Sequence, residues 1–168
     1  MPRRHDGQAL MTPYLACDAG SSSFKASLFG IGAPVPRDPQ PALWEGTISW
    51  RRLPGDAGVS SRWDLSRSGE AQASLHHASE APLRLLNAMR AGAPSGSPGV
   101  QHVVHRIVHT GQLERSPARV TSAVRRAIAS ALPLAPEHNA LALAGIDAVE
   151  ALFPGVEQFI VSDSAYHA

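Results

Sequence analysis

Between Tyr14 and Gly30 the chain holds two short apolar runs separated by Asp18-Ala19-Gly20-Ser21-Ser22-Ser23. The second run places Phe24, Ala26 and Leu28 on one side and Lys25 and Ser27 on the other, the period of a half-buried strand. Tyr14 to Cys17 reads as its partner, and a Gly/Ser turn between two such runs predicts a hairpin. A chain that begins on a hairpin is committed to a sheet.

The segments after Gly30 decide the kind of sheet. Gly32 to Pro41 carries four prolines and reads as a loop. Leu43 to Leu53 is a further strand, with Trp44, Ile48 and Trp50 at even spacing. Gly69 to Met89 is read as a helix whose last turns hold Leu83, Leu85, Leu86 and Met89, and Ala91 to Gly99 as a flexible connection. Val100 to Val108 is β-rich. Thr121 to Leu132 has Val124, Ile128 and Leu132 at four-residue intervals, the stripe of an amphipathic helix, which Pro133 and Pro136 end. Asn139 is read as the N-cap of a last helix reaching Leu152, stopped by Pro154-Gly155. Gln158 to Ser162 is a buried-type strand that delivers Asp163. The order predicts an α/β fold with a mixed sheet.

Composition narrows the function classes. The chain has 168 residues, enough for one domain with a core. Fifteen basic and fourteen acidic side chains leave a net charge of +1, so no electrostatic footprint for nucleic acid or an anionic membrane is expected. The single cysteine, Cys17, cannot make an internal disulfide, which points to a reducing, cytoplasmic setting. No apolar run approaches the roughly 18 residues of a membrane span. Residues 1–13 lack the apolar core of a signal peptide and read as a tail, with Met11 as an alternative first residue. All basic residues but one are Arg. Lys25 is the exception, and an ammonium is the compact point charge that suits a crowded phosphate site.

Three places carry chemistry. In Asp18-x-Gly20-Ser21-Ser22-Ser23-x-Lys25 the turn offers backbone N–H groups as an anion nest, three hydroxyls and one ammonium. Gly20 would permit a positive φ or a close backbone approach. Asp18 is placed to hold Mg²⁺ against the same phosphates. A serine-rich turn with a solvated Lys25 fits these residues as well. It is not a P-loop, because the turn leads into a strand and not a helix. His102, His105, Arg106 and His109 form the second cluster. Strand alternation makes His105 and His109 co-facial, with His138 the nearest third metal ligand, whereas histidines satisfied in a core are the simpler reading. Arg106, taken as inward, needs an anionic partner, either a bound carboxylate or phosphate or a structural Asp. Asp163, at the end of an apolar strand, is the third candidate, with a strand-terminating turn as its plain alternative.

Together these blocks resemble the acetate/propionate (short-chain carboxylate) kinase family, the acetokinases. LACDAGSSSFKASLF is similar to a signature that normally reads N-x-G-S-S-S-x-K. HRIVHTGQ resembles H-R-V-V-H-G-G-E, PLAPEHNALALAGIDAVEALFPGV resembles P-L-A-P-L-H-N-P-x-N and the helix after it, and FIVSDSAYH resembles F-D-T-A-F-H. The likeness runs from about Tyr14 to Ala168, with residues 32–98 unspecific.

The resemblance implies an actin/sugar-kinase/Hsp70-like (ribonuclease H-like) fold. Residues 14–168 would be its first domain, an N-terminal portion without the nucleotide-binding half. It implies reversible transfer of the ATP γ-phosphoryl group to acetate or another short-chain carboxylate, with Mg²⁺ or Mn²⁺, and a homodimer for the full-length protein. By motif match, Gly20, Ser21, Ser22, Ser23 and Lys25 would bind phosphate, and Asp18 stands at a metal-associated Asn. Arg106 would hold substrate carboxylate and phosphoryl oxygens, Asp163 is the essential aspartate, and His138 lies near the substrate. Departures are Asp18 for Asn, Thr110 and Gln112 for Gly and Glu, and Ser162, Ser164 and Tyr166 for Phe, Thr and Phe. Two expectations result: a fragment of a working kinase, or an inactive remnant that at most binds phosphate or carboxylate.

Overall fold

A computed structural model describes residues 11–52, 59–65, 69–71, 75, 77–92, 99–111, 113 and 117–163. The predicted hairpin is present as β1 (Thr12–Ala19) and β2 (Ser23–Ile31), antiparallel, with Leu15 opposite Leu28 and Asp18 opposite Lys25. β1 starts at Thr12, so the last residues read as tail already belong to the sheet. β3 (Trp44–Arg52) pairs antiparallel with β2. The predicted end of that strand, Leu53, lies outside the described residues.

The middle of the chain differs from expectation. Two strands, β4 (Val59–Leu65) and β5 (Gly69–Ala71), extend the meander beyond β3. Gly69 is therefore not the start of a helix. A 3₁₀ turn at Ala78–Glu80 leads into α1 (Ala81–Gly92). Pro82 explains the boundary: its fixed φ and missing N–H suit the first turn of a helix and no later position. Ala81, Leu85, Leu86 and Met89 give α1 its buried stripe.

β6 (His102–Ile107) runs parallel to β1, and β8 (Glu157–Ser162) parallel to β6, while the two-residue β7 (Ala118–Arg119) lies antiparallel at the edge. The sheet order is β5-β4-β3-β2-β1-β6-β8-β7. The expected mixed sheet is thus an antiparallel meander joined to a parallel triplet. Two further helices lie between β7 and β8. α2 (Ser122–Ser130) is capped by Thr121, whose hydroxyl accepts from the Val124 N–H at 3.2 Å. α3 (Pro136–Leu152) begins at its proline with Ala135 as N-cap, so Asn139 sits inside the helix and does not cap it.

α1 and α3 pack on one face of the sheet. That face supplies Leu15, Cys17, Phe24, Ala26, Ile48, Val103, Ile107 and Ile160, all buried, and the helices return Leu85, Leu86, Leu141, Ile146 and Val149. Gly145 of α3 lets helix and sheet approach closely. A Cβ there would stand 3.1 Å from Phe24 Cε2 and 3.8 Å from His105 Nδ1. Among the described residues no helix covers the other face, which carries Tyr14, Asp18, Lys25, His102, Arg106 and Phe159 as half-buried or exposed side chains. No described helix is long and apolar enough to cross a membrane.

Candidate functional site

Parallel pairing puts the carboxyl ends of β1, β6 and β8 side by side. Asp18 lies across from Arg106 on one flank, and Lys25 lies across from Asp18 on the other. Because alternation sends residues 18, 25 and 106 to the same uncovered face, one cross-strand row reads Lys25, Asp18, Arg106. β8 ends beside it, and its ladder is prolonged by the Asp163 N–H donating to the Ile107 carbonyl at 3.0 Å.

Arg106 is the centre of this row. Its Nε and Nη2 donate to Asp163 Oδ1 and Oδ2 at 3.0 and 2.7 Å, a two-pronged fork, and its Nη1 donates to Asp18 Oδ1 at 3.0 Å. The inward placement expected from an apolar strand is wrong. The Arg106 side chain is 47% exposed, and the buried neighbour is His105. The partnering argument holds nevertheless, since the guanidinium has found two carboxylates. Hydrogen bonds to Asp163 and then to Asp18 raise its pKa above the usual arginine value, so it is charged at every relevant pH. Three of its five N–H groups are engaged and two remain.

The turn preceding β2 stands at the same sheet edge. Gly20 does not use a positive φ, which among the described glycines occurs at Gly111 and Gly155. It is needed for close approach, because a Cβ would lie 3.1 Å from Ser23 Oγ. Its N–H is spent on the Ser23 carbonyl at 2.8 Å, so any nest is made by Ser21 to Ser23 without it. The Ser22 carbonyl accepts from the Trp50 N–H at 2.9 Å and ties the turn to β3. Ser21 and Ser22 are exposed, as is Lys25.

The histidines separate. β6 ends at Ile107, so His109 lies beyond the strand and does not share a face with His105. His105 is 2% exposed, and its Nε2 lies 2.8 Å from Gln158 Oε1. Burial pulls its pKa down to about 4, against the opposing pull of the Gln158 hydrogen bond. It is a neutral core histidine, as the simpler reading has it. Burial, and next the charge of Asp18, likewise push the Cys17 thiol up to about 12. His138 lies half-buried in the first turn of α3 and is not among the hydrogen-bond partners of the Arg106 fork, which are Asp18 and Asp163.

Two contacts that sequence reasoning missed brace the site. Asn139, fully buried, donates through Nδ2 to the carbonyls of His109 (2.8 Å) and Ile128 (3.2 Å), and its Oδ1 accepts from the His109 N–H at 3.4 Å. Thr110 Oγ1 and Ser162 Oγ lie 3.1 Å apart and are both buried. Gly111 then turns the chain with φ +61°, a conformation that favours glycine. The one available signal was that Thr110 and Ser162 both depart from the resembled motif. Gln112, Ser164 and Tyr166 lie outside the described residues.

Among the described residues no group of three His, Cys, Asp or Glu side chains converges as a metal cage. Asp18 and Asp163 are two hard oxygen donors on either side of one guanidinium. That set fits Mg²⁺ or Mn²⁺ bound in the usual way for phosphoryl chemistry, by one or two carboxylates with water and substrate phosphates completing the shell. A cavity of about 280 Å³ lies beside the turn, lined by Ser21, Trp50, Pro136, Glu137 and Leu141 among others. A larger one, about 510 Å³, opens beside Arg119, Arg125 and Glu157 at the start of β8, and neither the Arg106 fork nor the serine turn lines it.

Several known proteins resemble this chain in sequence and fold. The acetate kinase of Acaryochloris marina (strain MBIC 11017) is 37% identical over 157 residues, covering 92% of this chain and 39% of that protein. The acetate kinase of Synechococcus sp. (strain JA-2-3B'a(2-13)) is 36% identical over 162 residues, covering 91% and 38%. The crystal structure of Porphyromonas gingivalis acetate kinase superimposes with a TM-score of 0.69 at 25% identity, over 92% of this chain and 38% of that one. A propionate kinase from Francisella tularensis shares the fold, with a TM-score of 0.68 at 22% identity, covering 94% and 38%. The chain thus spans about two-fifths of the length of the relatives it matches. Fold and likeness together give it the mixed α/β sheet with helices expected of the first domain of such proteins. The acetokinase family model matches residues 14–168, and the chain belongs to that family.

Proposed function

We propose that this chain is the phosphate- and carboxylate-gripping part of a kinase that moves the ATP γ-phosphoryl group to acetate or another short-chain carboxylate, giving acetyl phosphate and ADP. The observation that carries the reading is the Arg106 fork. An always-charged guanidinium is aimed by Asp163 and Asp18 at the open sheet face, two donors unspent, in line with the only lysine.

The chemistry asks for little else from these residues. A carboxylate acceptor with a pKa near 4 to 5 is ionised at neutral pH, so no general base is required. The obstacle is repulsion between acceptor and phosphoryl oxygens, about 4 kcal/mol for unit charges 4 Å apart at an effective dielectric of 20. Arg106 offsets that and steadies the charge spread over the transferring group. Asp163 acts as a positioner of the guanidinium and not as a proton acceptor. Ser21, Ser22, Ser23 and Lys25 hold phosphate oxygens, and His138 borders the acceptor. Formal charges within the row cancel: Lys25 and Arg106 against Asp18 and Asp163. Admitting two anionic substrates therefore calls for more positive charge, which a divalent cation held by Asp18 would supply by neutralising phosphate oxygens.

Titrating the uniformly ¹⁵N-labelled chain with acetyl phosphate and Mg²⁺ tests the grip: the Arg106 Nε signal and the Ser21 to Ser23 amides are expected to move together. Joining the chain to the remaining three-fifths of the A. marina acetate kinase tests the reaction, with hydroxylamine trapping of acetyl phosphate as readout. Unmoved signals in the first and no hydroxamate in the second would sink the reading.

A further inference from the structure

Thr110 and Ser162 are 52 residues apart in sequence and meet through their hydroxyls at 3.1 Å, 1% and 5% exposed. Each belongs to one arm of the Arg106 fork. Thr110 comes four residues after Arg106 on the exit from β6, and Ser162 immediately precedes Asp163 at the end of β8. The fork itself lies on the open face, the hydroxyl contact on the helix-covered face, and the Asp163 N–H to Ile107 carbonyl bond lies between them. The strand exits are thus tied at three depths. The ladder sets the register of β8 on β6 as far as Ile107 and Ser162. Beyond it, releasing the buried tie would leave one backbone bond to hold the two exits together, and a carboxylate fork tolerates little shift there because both prongs must stay near 2.7–3.0 Å.

The pair also explains two departures from the resembled motif at once. Where that motif has Gly in one strand exit and Phe in the other, this chain has Thr and Ser. Bulk removed on one side is partly returned on the other, which is how a close-packed site accepts exchange. Buried hydroxyls require partners, and here each has the other within hydrogen-bond distance. We propose that Thr110 and Ser162 are a matched positioning pair, co-dependent in volume and hydrogen bonding, that fixes Asp163 in register to fork Arg106. Their part in phosphoryl transfer rests on Arg106 and Asp163 acting as proposed above, whereas their hold on the fork does not.

A double-substitution cycle on the 168-residue chain tests this, read by solvent exchange of the Arg106 Nε–H. T110G and S162F are each expected to speed exchange by roughly three- to tenfold, the effect of losing one buried hydrogen bond. T110S, which keeps the hydroxyl, is expected to leave it near the starting rate. T110G/S162F restores the bulk and is expected to recover most of the loss. Should either single variant fail to fold by circular dichroism, S162A removes a hydroxyl without adding bulk and is expected to speed exchange alike. The pairing is overturned if the single variants lower the melting temperature without altering Arg106 exchange, or if their effects simply add in the double variant. If the cycle couples as expected while acetyl phosphate with Mg²⁺ leaves Arg106 unmoved, the pair stands and the kinase reading falls.

Discussion

Asn139, the fourth residue of α3, donates its side-chain amide to the His109 carbonyl at 2.8 Å and to the Ile128 carbonyl at 3.2 Å. One buried side chain thereby joins the exit of β6, the end of α2 and the start of α3. N139A would leave both carbonyls without this donor. A loss of about 2–3 kcal/mol is expected, read in urea unfolding as a lower midpoint at unchanged slope.

His105 predicts an acid-side weakness. Its pKa is held at about 4 by burial, below the ordinary 6.5. The unfolded chain therefore takes up a proton that the folded chain refuses. This contribution is fully present above pH 6.5 and is lost as pH falls from there towards 4, on the order of 3 kcal/mol in all. H105Q is expected to flatten the pH dependence of unfolding free energy in that window, even if it lowers stability at pH 7. An unchanged slope would remove His105 as the cause.

Gly145 sets two effects against each other. Alanine is better than glycine in a helix interior by about 1 kcal/mol. A Cβ at this position meets Phe24 Cε2 at 3.1 Å, and Phe24 is 1% exposed and hemmed in. Overpacking of this kind costs about 1–3 kcal/mol, so it wins. G145A is expected to be less stable by roughly 1 kcal/mol and G145V by more, with chemical denaturation giving that order.

Arg106 cannot be exchanged for the other cation. A lysine keeps the charge but cannot span both oxygens of Asp163 while reaching Asp18. In the chimera with the A. marina remainder, R106K is expected to lower hydroxamate formation by roughly 10²-fold, the usual cost of one lost transition-state donor. The KM for ATP should change little. A rate within a few-fold of the parent would assign charge neutralisation to another group.

Much of the fold was written locally. The alternation through Phe24, Ala26 and Leu28, the capping threonine at 121 and the four-residue spacing of Val124 and Ile128 each fix an element within its own few residues. Where local signals were weak the expectation failed. Nothing in the stretch before Pro82 distinguishes helix from strand except its pairing with β4, and that pairing is a long-range hydrogen-bond pattern. Asn139 looks like a cap because its side chain favours helix starts; its partners, the His109 and Ile128 carbonyls, are supplied by other elements.

The sequence alone determined which groups are available: one lysine, a serine-rich turn, an arginine in an apolar strand and an aspartate at a strand end. Those are composition and order, carried by the chain itself. Only the tertiary structure decided that Arg106 points away from the core, that Asp18 and Asp163 reach it from opposite sides, and that Thr110 closes on Ser162. Strand alternation leaves the choice of buried face open by one residue of register, and that choice is made when helices α1 and α3 cover one side of the sheet, the other carrying no helix among the described residues.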